Sequence, residues 1–209
     1  MLVIVAACAV LFLLVEPLPP RINAGVPSAV GDVLAREALQ RLKPGGRLTV
    51  ITRDTAAFKH PETDILFQSF TRVIRKGGAS ITAVQALQVD PLRPVDVPPG
   101  DFFEWIRKSP PGSVIVSFMG PPLLTPDQMA QLNTVNPAIL AFCPGSLAQR
   151  IDLRKLFAAH LLEVAVISRP MPRPLAAGAK GAEGWFDANY IKLTSANVAN
   201  RDDDADASR

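Results

Sequence analysis

The sequence predicts an α/β domain: a three-layer, doubly wound, mostly parallel sheet of about five strands, preceded by an apolar N-terminal helix. Three observations carry that expectation. Short apolar runs alternate along the chain with stretches of helical periodicity, the pattern of βαβ units. Several of those runs are apolar at nearly every position, as strands covered on both faces are. Glycine and proline cluster at the junctions, where elements have to stop.

Taken in order, a first amphipathic helix is expected over about Asp32 to Lys43, with Val33, Leu34, Ala38 and Leu42 on one side and Pro44-Gly45-Gly46 ending it. Strand one is Arg47 to Thr52. The next helix runs from about Asp64 to Lys76, with Leu66, Phe70, Val73 and Ile74 as its buried stripe, and Gly77-Gly78 stops it. Strand two covers Ala79 to about Val89. A proline-spaced loop, Asp90 to Gly100, leads to a short helix over Asp101 to Lys108, and strand three is Ser113 to Met119. Thr125, Pro126 and Gln128 then spell an N-cap, a first-position proline and a capping box. Strand four is Ala138 to Cys143, the last core helix covers about Asp152 to Leu161, and strand five is Glu163 to Ser168. Tyr190 to Thr194 adds a candidate edge strand. Right-handed crossovers between such strands favour the order 2-1-3-4-5, a flavodoxin-like sheet.

Outside this domain (residues 29–198), the ends differ in character. Met1 to Val15 holds no charged side chain and is followed by Glu16-Pro17-Leu18-Pro19-Pro20. Residues 1–16 read as a membrane anchor or signal segment, and residues 17–28 as a proline-rich spacer. Fifteen helical residues span about 22 Å, short of the ~30 Å hydrocarbon core. A cleaved signal peptide is the alternative, and Val5-Ala6-Ala7-Cys8 also fits a lipobox-like pattern, although the apolar run continues past the cysteine. The preferred expectation is an uncleaved anchor, with the domain outside the cytoplasm. Residues 199–209 form an acidic tail expected to be disordered.

Composition excludes several classes of function. The net charge of +3 is spread over dispersed Lys and Arg without a basic run, so no nucleic-acid partner is expected. Cys8 and Cys143 are the two cysteines, and the fold is not expected to need a disulfide. Phosphate-binding and dinucleotide-binding glycine loops, the G-x-S-x-G elbow and the spacings of metal ligands are all missing, so no cofactor and no metal are expected.

In an open parallel sheet, ligands sit beyond the carboxyl ends of the strands, where the strand order reverses. The expected order places that crevice between strands one and three, which selects Asp54, Thr55 and Gly120. Gly145 and Ser146, after strand four, offer further backbone amides to an anion. Each also has a plain reading as turn chemistry. Arg53 and Arg169 are separated by three strands, roughly 14 Å, so they are not expected to grip one group together. Cys143 reads as a core thiol, His160 as a histidine on the apolar face of its helix, and His60 as an exposed turn residue.

The alternation over Gly46 to Pro170, with phrases such as Val114-Ile115-Val116-Ser117-Phe118-Met119-Gly120, resembles one lobe of a type I periplasmic binding protein. That resemblance implies a periplasmic-binding-like fold and a lobe that helps to clamp a small ligand. The chain has room for one lobe, so a two-lobed clamp would need a partner or a second copy. Two functions follow as expectations. One is a non-catalytic, membrane-tethered binding or interaction module, with Asp90 to Gly100 and the Phe102-Phe103-Trp105 cluster as a candidate contact surface, although the aromatics read first as core. The other is a small envelope enzyme with its site near Asp54.

Overall fold

The computed structural model describes residues 22–56, 59–89, 97–132, 135–175 and 181–200. The apolar leader, residues 201–209 of the acidic tail and most of the Asp90 to Gly100 loop lie outside the described residues; the first two tail residues close a 3-10 turn, Val198–Asn200, instead of being disordered as expected.

Six strands form one sheet. They are β1 (Leu48–Arg53), β2 (Ala83–Leu87), β3 (Val114–Ser117), β4 (Ala138–Cys143), β5 (Val164–Ser168) and β6 (Tyr190–Leu193). Their order is β2-β1-β3-β4-β5-β6, with β1 to β5 parallel and β6 antiparallel to β5. The expected 2-1-3-4-5 order and the extra edge strand are both present.

The helices are α1 (Gly25–Arg41), α2 (Pro61–Lys76), α3 (Pro99–Lys108), α4 (Pro126–Ala130), α5 (Leu147–Arg150), α6 (Leu153–Ala158) and α7 (Ala182–Asn189). Strand periodicity sorts them into two outer layers. Val50, Val114, Val116, Leu140, Val164 and Val166 face α1, α2 and α7, where they meet Leu34, Phe70 and Phe186. The intervening Ile51, Ile115, Ile139 and Ile167 face α3, α5 and α6, where they meet Phe102, Ile106, Leu147 and Phe157. The central strands are therefore largely apolar on both faces, because each face has its own helical cover.

Helix α1 begins at Gly25, seven residues before the expected Asp32, and so includes part of the supposed spacer. Pro27 is tolerated in the first turn, where an N–H has no intrahelical acceptor. The helix is held tightly: Ala29, Val30, Leu34, Ala35 and Ala38 are fully buried. It packs so close to α2 that a Cβ on Gly31 would run into the Leu66 carbonyl and the Phe70 amide. A polar network fastens its far end. Glu37 accepts hydrogen bonds from Arg41 at 2.7 Å and from Lys192 of β6 at 2.6 Å, and Arg41 also reaches Glu163, just before β5, at 2.7 Å. Burial alone would raise the Glu37 carboxyl, but the bonds from Lys192 and Arg41 outweigh it and hold the group below its usual range.

Other expectations need correction. Of the two readings of the Phe102-Phe103-Trp105 cluster, the core reading holds and the contact surface does not: Phe102 and Phe103 are buried. The loop before it ends at Pro98, because Pro99 and Gly100 already belong to α3. His160 is exposed rather than on an apolar helix face, since α6 stops at Ala158 and His160 turns the chain with a φ of 53°. The capping box is present as expected: Gln128 N–H donates to Thr125 Oγ1 at 3.2 Å, and Thr125 N–H donates to Gln128 Oε1 at 2.9 Å.

Candidate functional site

The strands end in loops that leave a cleft of about 920 Å³ at the carboxyl edge of the sheet. Its floor comes from the strand ends: Arg53 after β1, Phe118 and Met119 after β3, Phe142 in β4 with Pro144 and Gly145 after it, and Ser168 at the end of β5. One wall is the start of α1 (Asn23, Val26, Pro27), another is the start of α2 (His60 to Thr63, with Leu66), and Tyr190 closes the β6 side. The position follows from topology. The chain goes outward from β1 to β2 and then crosses back to β3, so the loops beyond β1 and β3 diverge and leave a crevice.

The surface of this cleft is mostly apolar, and several of its polar atoms already have protein partners. Asn23 Oδ1 accepts from Gly25 N–H at 3.1 Å, at the start of α1. His60 Nδ1 and Thr63 Oγ1 are 2.9 Å apart across the first turn of α2. Gly145 N–H donates to Ser168 Oγ at 3.0 Å. Arg53 is half-buried and has no hydrogen bond or ion pair among the described residues. Tyr190 packs on Phe142 and Phe186, with ring centroids 5.7 and 5.8 Å away. Burial, with a smaller contribution from the Glu62 charge, pushes its phenol up to about 12, so it is a neutral hydrogen-bond donor at neutral pH.

Of the five residues selected from the sequence, Gly145 lines the cleft. Its amide is already engaged by Ser168. Asp54 lies one residue beyond the lining Arg53 and shapes the turn: its N–H donates to Leu87 O at 2.7 Å, and its Oδ1 accepts from Ala56 N–H at 2.9 Å. Thr55 is tied to α2 through a hydroxyl donated to Asp64 Oδ1 at 2.9 Å. Gly120, with a φ of 100°, backs onto Leu147, whose Cδ2 would lie 2.8 Å from any added Cβ. Ser146 is exposed and precedes α5 without a side-chain cap.

Arg53 and Arg169 do stand apart. Arg169 lines a separate groove beside α7, where its Nε donates to Asp187 O at 2.9 Å. The aromatic lining, Phe118, Phe142 and Tyr190, carries no local sequence signal, since each sits in a run that reads as ordinary strand.

Hardware for catalysis is sparse here. Cys143 is fully buried. The His60–Thr63 contact is local, and no third group orients the imidazole among the described residues. No cluster of three or more His, Cys, Asp or Glu suited to a metal occurs among the described residues. What the arrangement can do is enclose a small molecule between apolar walls and offer it a guanidinium and a phenol.

No protein-family model matches the sequence, and no curated protein matches it. Solved structures do match in fold. The arabinose-binding protein AraP of Geobacillus stearothermophilus superposes with a TM-score of 0.53 at 14% identity, over 83% of this chain and 62% of its own. An ABC-transporter solute-binding protein of Burkholderia graminis, in complex with D-arabinose, gives 0.50 at 13% identity, over 81% and 60%. A periplasmic ribose ABC transporter of Conexibacter woesei gives 0.50 at 9% identity, over 83% and 59%. The chain thus spans about 60% of the length of the structures it matches. At these identities the likeness is one of fold, and it agrees with the periplasmic-binding-like lobe expected from the sequence.

Proposed function

We propose that this chain is a non-catalytic binding module that takes a small organic ligand in the cleft at the carboxyl edge of its sheet. The observation that carries the reading is the cleft itself, about 920 Å³, placed where the strand order reverses and lined mainly by apolar and aromatic side chains. The fold neighbours support it, because they include proteins described as arabinose-binding or as part of ribose transport. The chain spans about 60% of the length of those structures, and we read it as one lobe; full enclosure of a ligand then calls for a second lobe. The uncharged Met1 to Val15 segment supports a membrane-tethered domain outside the cytoplasm.

The enzyme alternative near Asp54 draws less support, because the Asp54 carboxylate is occupied in shaping its own turn. The test is a thermal-shift panel of pentoses, hexoses and small organic acids. A ligand at a hundred times its Kd adds about 2.7 kcal/mol, which raises the Tm of a domain of this size by roughly 5–10 °C. Thr63→Trp, which puts an indole into the cleft from α2, is expected to abolish the shift, and Asp54→Ala is expected to keep it. A shift that survives Thr63→Trp, or no shift with any member of the panel, refutes the reading.

A further inference from the structure

Among the described residues, the cleft holds one cation, Arg53, without an acceptor. Arg53 is half-buried at the end of β1 and has neither a carboxylate nor a carbonyl partner among the described residues. A partly desolvated guanidinium without an acceptor is unfavourable, and its planar fork suits two carboxylate oxygens at once. The surrounding floor, with Phe118, Met119, Phe142 and Leu147, offers area for apolar contact and little else.

A sugar makes different demands. Each of its hydroxyls asks for a donor or an acceptor, while Asn23, His60, Thr63 and Ser168 already spend polar atoms on protein partners. Glu62, the one carboxylate lining the cleft among the described residues, is exposed in the first turn of α2, toward Tyr190. It disfavours a second negative charge on the same molecule and so argues for a monoanion.

Building on the reading of this cleft as a ligand site, we propose that it binds small monocarboxylates with an apolar body, the carboxylate on Arg53 and the body against Phe118 and Phe142. The test uses phenylacetate, its uncharged counterpart 2-phenylethanol, and D-ribose, titrated calorimetrically into the full chain. Phenylacetate is expected to bind at least about tenfold more tightly than 2-phenylethanol, the worth of one charge-assisted pair. Arg53→Gln is expected to erase that preference while circular dichroism stays native, and Arg53→Lys to retain part of it. Equal binding of the acid and the alcohol, or a preference that survives Arg53→Gln, overturns the proposal. Ribose binding that Thr63→Trp abolishes, without any binding of phenylacetate, overturns the ligand class and leaves the cleft reading standing. If none of the three probes binds, the ligand class fails, and the thermal-shift panel decides the cleft separately.

Discussion

Tyr190 is the single tyrosine of the chain, so its ionisation can be watched without interference from another phenol. It lies between Phe142 and Phe186 on the cleft wall, and its phenol is raised from 10.0 to about 12 by burial and, to a lesser degree, by Glu62. The perturbation is alkaline pH. With those two values, at pH 11 about a tenth of the phenol is ionised in the folded protein, against about nine-tenths in the unfolded chain. The neutral form is the one the fold prefers. Its contribution is therefore complete below pH 10 and is lost as pH rises from 10 through 12, amounting to about 1 kcal/mol by pH 11. The assay is near-ultraviolet absorbance of the phenolate in native buffer and in concentrated urea, with circular dichroism followed in parallel. Glu62→Gln is expected to bring the native midpoint down by the smaller share of the shift. A native midpoint near 10 with the fold intact refutes the burial argument, and with it the placement of Tyr190 against the two phenylalanines.

Glu37→Gln removes the charge that Arg41 and Lys192 share, and because both cations keep some access to water the expected loss is about 1–3 kcal/mol at pH 7 in urea unfolding. The carboxyl is held below its usual value of 4.5, so the contribution is present above that pH and disappears as pH falls through the lowered one; the gap between variant and wild type is expected to narrow as the solution is acidified, and a gap that widens in acid contradicts the network. For the tether, membrane fractionation and external protease are expected to recover the full chain with membranes and to cut its domain only from the outer side. Recovery in the cytosolic fraction refutes that placement.

The sheet was legible because its signals are local and redundant. The inner strands are short, largely apolar runs with glycine or proline near their ends, and Val114 to Ser117, buried at every position, reads as a central strand. The capping box at Thr125 is written within four residues. The start of α1 was not legible, because Gly25-Val26-Pro27 carries poor helix formers and is held helical by its packing on Trp185 and α2 rather than by propensity. Periodicity misplaced His160, which falls in phase with Leu153 and Phe157 but comes two residues after the helix has ended. The cleft was legible only by rule. Topology put it beyond β1 and β3, while its lining is assembled from residues as far apart as Asn23 and Tyr190, a convergence that no local pattern announces.

Helix α1 also has a consequence for the order in which the chain can fold. It is the first of the described elements along the chain, yet the ion pair that fastens it, Glu37 to Lys192, spans 155 positions. Its other anchor, Glu163, comes 122 residues after Arg41. An emerging chain therefore carries a helix with an apolar face whose docking surface is not finished until β6 has been made. Contacts of such separation slow folding. Any truncation before Lys192 strands α1 without its last fastening, so the domain completes itself from its two ends together.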